Sequence, residues 1–320
     1  MRRALVLGSG ALTGIAWEAG VLQGLTDAGV ATSDWDLVVG SSAGAYVGAR
    51  LLVEASPEPL FSAQLAMDVD AEEAALAAAT GQLPLLLIRS ARRPGLAWGA
   101  RAGVLPLALR ALTVNAARHG PREFATLGII LRSRRAGGQG GADTEILHAL
   151  GRLAGARRSG EPQWIAYWER ALGPVTAWPA TRLAVVAIDI ADGSRRVVDQ
   201  VDNVSLARAV AASSAVAGLL SPITLAGHRY MDGGSGSQTN ADLATGHDQV
   251  LVVAPADRGA LAGEVTSLRS AGAEVAVIQP STQAATTLGD ELARLDPARS
   301  RAAAEAGRED GRAAAPLVAP

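Results

Sequence analysis

Cysteine and lysine are both missing from these 320 residues. Without cysteine there are no disulfides, no thiol nucleophile and no iron–sulfur ligands, a composition that suits a reducing compartment. Without lysine there is no Schiff-base amine, no lysine base and no P-loop phosphate grip. Only four histidines occur, at positions 119, 148, 228 and 247, and none is spaced from another as metal ligands are. A transition-metal site is therefore not expected, and no cofactor is implied. No apolar run reaches the roughly 18–20 residues of a membrane span. The first, "ALVLG" at 4–8, is too short for the core of a signal peptide. The expectation is a soluble, cytoplasmic protein.

What is present is apolar material and glycine. Hydrophobic residues make up 49% of the chain, enough for a sizeable core, and the formal net charge of −2 gives no overall pull toward nucleic acid. The length fits one large α/β domain or two ordinary ones. "ALVLG" reads as a buried parallel strand and "TGIAWEAGVLQGLTDAG" (13–29) as the helix after it, closing on Gly29. "DLVVG" (36–40) and the segment after Ser42 repeat the pattern of strand, glycine-rich turn and helix, which argues for an α/β sheet with covering helices.

Residues 55–175 read as a helical insertion broken by arginine- and glycine-rich stretches at 89–101 and 132–143, the second a candidate mobile loop. Strand character returns at "TRLAVVAIDI" (181–190), with a hairpin turn at Asp192-Gly193. A helix at about 205–216 follows, then two short strands in 221–234 and further strands at 248–255 and 274–281. The Ala-, Arg- and Glu-rich end, 283–314, reads as helix.

Three stretches could carry chemistry. Gly40-Ser41-Ser42-Ala43-Gly44 fits G-x-S-x-G at a strand-to-helix turn, where a serine is held exposed and the helix N-terminus favours a developing oxyanion. A tight glycine turn is an equal reading of that pattern alone. "LGSGALTG" (7–14) is either a dinucleotide-binding turn, a row of amides at Gly8, Ser9, Gly10 and Ala11 facing an anionic oxygen, or a packing turn. The dinucleotide reading wants an acid ending the second strand. Asp34 and Asp36 instead precede that strand. For a serine nucleophile no histidine offers itself as a base: His228 and His247 sit in turn-like, solvated settings. Asp232 in "YMDGG" stands at a strand end, although Asp-Gly is first of all a turn signal. A carboxylate is a poor base at its ordinary pKa of about 3.9, and burial improves it.

Taken together and in this order, the pieces resemble the patatin-like phospholipase family of serine acyl hydrolases. The first glycine loop runs into "IAWEAGVL", the elbow follows about 30 residues later, and "AASSAVAGLLSPITLAGHRYMDGG" (211–234) matches the family's second block. Asn240 lies where the family often has an asparagine. The resemblance covers 1–54 and 181–281 well and the middle hardly at all.

It implies a three-layer α/β/α sandwich with a central, mostly parallel sheet and a helical insertion at about 55–175. The hydrolase domain would span 1–282, with a helical tail at 283–320. It implies Ser42 as nucleophile, Asp232 as its base, an oxyanion hole of Gly8, Ser9, Gly10 and Ala11 amides, and an elbow shaped by Gly40 and Gly44. The substrate would be a lipid or other acyl ester. Departures are Thr13 where the family commonly has Arg or Lys, and Ser9 and Ala11 where it usually has glycine, so Ala11 must tolerate the loop's backbone angles.

"LPLLLIRSARRPGLAWGAR" (83–101), with Trp98 among its arginines, is a candidate for peripheral membrane contact, though a buried helix and a solvated basic loop is the stronger reading. Trp164 and Trp168 share a helix face and read first as core. A relative without catalysis, retained for lipid or protein binding, is the main alternative.

Overall fold

The strands of one sheet come from short apolar runs at its centre and from more polar segments in two of its antiparallel members. In the computed structural model, which describes residues 1–80, 160–217, 219–291 and 293–318, these are β1 (Arg3–Leu7), β2 (Leu37–Ser41), β3 (Arg182–Asp189), β4 (Arg195–Val198), β5 (Ile223–Leu225), β6 (His228–Asp232), β7 (Gln249–Val253) and β8 (Glu274–Ile278). The helices are α1 (Ala11–Asp27), α2 (Ala43–Glu54), α3 (Glu58–Leu65), α4 (Val69–Thr80), α5 (Glu161–Leu172), α6 (Leu206–Ser213), α7 (Leu261–Ser270), α8 (Thr282–Leu288) and α9 (Ser300–Val318).

The strand order is β5-β6-β3-β2-β1-β7-β8, with β4 also on β3. From β3 through β8 neighbours are parallel, whereas β4 and β6 run antiparallel to β3. Alternate side chains leave the sheet on opposite faces. Leu5, Leu7, Val38 and Val185 join Trp17 and Leu22 of α1 and Leu51 of α2 in one core. Ala4, Val6, Val39 and Val186 join Val265 and Leu268 of α7 in the other. The result is the expected three-layer α/β/α sandwich with a mostly parallel centre.

One feature of the sheet places the site. β3 pairs with β2 through Arg182–Val186, with β4 through Val185–Ile188 and with β6 through Ala187–Asp189. β4 shares rungs with both of the others, so it holds one edge of β3. β2 and β6 must therefore lie end to end along the other edge. Where β2 stops at Ser41, β6 arrives from the opposite direction with Asp232.

The hairpin at Asp192-Gly193 joins β3 to β4, with Gly193 at φ 74°. β5 and β6 are joined by Ala226 and Gly227, both at positive φ, a two-residue turn of the type that suits a twisted hairpin. The helix expected to about 216 stops at Ser213. There the Ser214 hydroxyl bonds back to the Val210 carbonyl at 2.7 Å, and the Ala215 carbonyl accepts from the Asp232 amide. Of the insertion, α3, α4 and α5 are helical as expected. The stretches at 83–101, with Trp98, and 132–143, as well as His119 and His148, lie outside the described residues.

The C-terminal helix is built into the same core. A Cβ on Gly20 would lie 2.1 Å from the Ala304 carbonyl oxygen, and one on Gly307 would lie 2.1 Å from that of Trp17. Only hydrogen fits at either position, so the backbones of α1 and α9 touch. No described helix is long and apolar enough to cross a membrane.

Candidate active site

The elbow after β2 is strained at Ser42. Ser42 has φ 53° and ψ −110°, outside the regions open to an ordinary L-residue, at a cost of order 1–3 kcal/mol. Its amide donates to the Ser213 hydroxyl at 2.9 Å. Both flanking glycines are required by contact. A Cβ on Gly40 would stand 2.6 Å from the Ala45 Cα, and one on Gly44 would stand 2.1 Å from the Leu7 carbonyl oxygen. The G-x-S-x-G spacing thus reflects a helix driven hard against two strands.

Asp232 meets this elbow at the end of β6 and is 7% exposed. Its Oδ1 accepts the Gly234 amide at 2.7 Å, and the Ser42 side chain lies within hydrogen-bonding reach. Burial pushes its pKa up to about 6, against the smaller opposing pull of Ser42, the Gly234 amide and the Arg258 charge. The carboxylate is therefore ionised at neutral pH, yet basic enough to accept a proton.

The glycine loop divides in two. The Gly8 amide donates to the Val253 carbonyl at 3.0 Å and the Ser9 amide to that of Gln238 at 2.8 Å. Both are engaged in holding the loop, which removes them from the set of four amides expected to face a substrate oxygen. The amides of Gly10 and Ala11, at the start of α1, have no acceptor among the described residues. A helix leaves its first amides unpaired and carries partial positive charge at that end. Ala11 takes φ 55°, the left-handed angle that the family's usual glycine would adopt freely. The Ser9 hydroxyl is accommodated because position 234 is glycine: a Cβ there would fall 2.1 Å from it. Thr13 is buried behind the loop, its hydroxyl 3.4 Å from the Leu288 carbonyl.

Ser42, Ala11 and Ala43 form the base of a pocket with about 660 Å³ of free space, partly open to solvent. Trp164, Tyr167 and Trp168 wall it, and no charged side chain lines it among the described residues. Trp164 and Tyr167 stack with ring centroids 4.8 Å apart. The tryptophans read as core are buried, and they also face this pocket. Neither His228, bonded to Asp189 at 3.1 Å, nor His247, bonded to the Ala244 carbonyl, lines it. The described residues contain no cluster of metal-ligating side chains.

Residues 5–245 match the family model of patatin-like phospholipases. The chain belongs to the patatin-like phospholipase family. No curated protein matches it. Among solved structures it is similar to VipD from Legionella pneumophila, with 15% identity over 98% of this chain and 67% of that one, at a TM-score of 0.40. It is also similar to the type III effector protein ExoU, with 17% identity over 97% of this chain and 53% of that one, at a TM-score of 0.32. The chain thus spans about half the length of the ExoU chain.

Two residues of this patatin-like site have roles that the sequence pattern does not show. Ser213 lies inside the second block, but nothing in the pattern says that its hydroxyl receives the Ser42 amide. Asn240 is marked in the sequence by its place alone. It is 1% exposed at φ 52°, and its Nδ2 donates to the Ser41 hydroxyl at 2.9 Å.

Proposed function

We propose that the protein is a lipid acyl hydrolase of phospholipase A, lysophospholipase or esterase type, working through an acyl-Ser42 intermediate with Asp232 as base. The observation that carries this reading is the meeting of a strained Ser42 with a buried, basic Asp232 at the foot of an apolar pocket. Family membership supports a lipid substrate.

The ester carbonyl would sit over Ser42 with its acyl chain against the aromatic wall. As the Ser42 oxygen attacks, its proton passes to Asp232, and the carbonyl oxygen becomes an oxyanion facing the Gly10 and Ala11 amides. Donors fixed in advance at that point are worth about 10²–10³ in rate each in such sites. Collapse expels the alcohol, which takes the proton from Asp232 and leaves the acyl group on Ser42. A water molecule then gives its proton to Asp232 and attacks the acyl carbon. The fatty acid leaves, and the proton returns to Ser42.

The test is fluorophosphonate labelling of the purified chain with peptide mapping, beside Ser42→Ala and Asp232→Asn. A single adduct on Ser42, absent in the first variant and slowed at least about 100-fold in the second, is the expected outcome. A folded protein that takes no adduct in the presence of lipid films would instead be a binding relative without catalysis.

A further inference from the structure

The five residues Ser237 to Ala241, just past the base, are tied to both halves of the site. The Gln238 carbonyl accepts the Ser9 amide at 2.8 Å, which fixes the glycine loop. The Asn240 Nδ2 donates to the Ser41 hydroxyl at 2.9 Å, one residue before the nucleophile, and to the Ser237 carbonyl at 2.7 Å. On its other side this loop is held by two side chains: Arg195 of β4 donates to the Asn240 Oδ1 at 3.3 Å, and a carboxylate takes three further bonds. Glu264 of α7, on the sheet face away from the pocket, accepts the Ser237 hydroxyl at 2.5 Å through Oε1. Through Oε2 it accepts the Thr239 hydroxyl at 2.5 Å and the Ala241 amide at 3.0 Å.

The direction of these bonds matters. Having donated to Glu264, the Ser237 hydroxyl offers its lone pairs to the amides of Thr239 at 3.3 Å and Asn240 at 3.0 Å. Those bonds set the turn in which Asn240 takes its left-handed φ. A carboxylate is the side chain that accepts from three donors and gives to none. Bonds to its charge are also roughly twice as strong as neutral ones.

We propose that Glu264 is a positioning residue for the acyl-transfer site: through loop 237–241 it holds Ser9 and Ser41, and with them the backbone carrying the oxyanion donors and Ser42. This rests on the reading of Ser42 as nucleophile. Misplacement of a reacting group by about 1 Å can cost 10²-fold, so the loss of Glu264 is a loss of rate rather than of binding.

The experiment compares the full chain with Glu264→Ala, Glu264→Gln and Leu268→Ala. The last removes from the same helix a buried side chain that makes no hydrogen bond to the loop. The readouts are the rate of Ser42 phosphonylation, kcat and KM for a p-nitrophenyl ester, the Tm, and hydrogen exchange at the Ser9 amide. Glu264→Ala is expected to slow phosphonylation and kcat by about 10-fold or more, with KM within about twofold and Ser9 exchange about 10-fold faster. Leu268→Ala is expected to lower Tm while leaving the Ser42 rates unchanged below it.

Wild-type rates and Ser9 protection in Glu264→Ala would overturn the proposal, as would equal losses in Leu268→Ala at matched Tm. Should Glu264→Ala not fold, Glu264→Gln decides, because an amide nitrogen cannot accept. A slowing of about threefold or more then supports the role, and unchanged rates refute it. If wild-type Ser42 itself takes no label, the hydrolase reading has failed. Ser9 exchange alone then decides for or against Glu264.

Discussion

Ser41 and Asp232 occupy consecutive rungs on one edge of β3, opposite Val186 and Ala187 respectively. The Ser42 elbow and Asp232, the nucleophile and base of the proposed reaction, are thus set end to end by backbone pairing, and no side-chain contact is needed to bring them together. Buried between β2, β6 and the glycine loop, the carboxylate carries a conflict between stability and chemistry.

That conflict is measurable in Asp232→Asn. The folded-state pKa is raised, so the protonated form is the one the fold favours. The cost of Asp232 is absent below its ordinary value of 3.8, grows as pH rises toward about 6 and is complete above it. At about 1.4 kcal/mol per pH unit, the penalty at pH 7 is about 3 kcal/mol. Asp232→Asn should therefore raise the Tm at pH 7 and gain progressively less as pH is lowered toward 4. Its ester hydrolysis should be nearly abolished. Wild-type kcat/KM should rise with pH through about 6, as a base must lose its proton to act. Melting curves over this pH range and a pH–rate profile check both halves.

Ser213→Ala tests how the strained Ser42 is held. The variant leaves the buried Ser42 amide without its acceptor, a loss of about 1–3 kcal/mol. Relaxation of Ser42 toward ordinary angles would move its oxygen away from Asp232. We expect kcat to fall by roughly 10–100-fold with KM little changed. Phosphonylation kinetics and steady-state assays on a folded variant decide it, and unaltered kcat would mean that the β2–α2 junction alone holds the angle.

Thr80→Trp tests the pocket as the seat of the acyl chain. Thr80 ends α4 beside the aromatic wall, and an indole there takes up space that an acyl chain would need. KM for p-nitrophenyl octanoate should rise by about 10-fold or more, whereas the acetate ester should be handled as before. Equal effects on both esters would place the chain elsewhere.

Gly307→Ala tests the union of α1 and α9. The new methyl would overlap the Trp17 carbonyl oxygen, so one helix must move from the other. Overpacking of this kind costs about 1–3 kcal/mol, and the closeness of the two backbones puts this site at the upper end. A fall in Tm, with Ser42 still labelled below the new midpoint, is the expected result. Removal of residues 300–318 should leave a chain that does not fold, because it uncovers Trp17, Val21 and the glycine face of α1.

The sequence by itself determined the strands and the glycine elbow, and it singled out Ser42 and Asp232, which the fold brings within hydrogen-bonding reach of each other. Apolar runs such as "LVLG" and "LVVG" are legible because a parallel strand is buried on both faces and ends where glycine permits a turn. Gly40 and Gly44 are legible because no other residue fits where they stand. Only the tertiary structure decided which amides of the glycine loop are free, since the acceptors of Gly8 and Ser9 are carbonyls of Val253 and Gln238, more than two hundred residues along the chain. The same holds for Ser213, which meets Ser42 across 171 positions, and for Asn240, which meets Ser41 across 199. A hydroxyl or amide side chain carries no mark of its partner in a sequence. Its role follows from which donor or acceptor burial has left it to satisfy, and burial is a property of the whole packed chain.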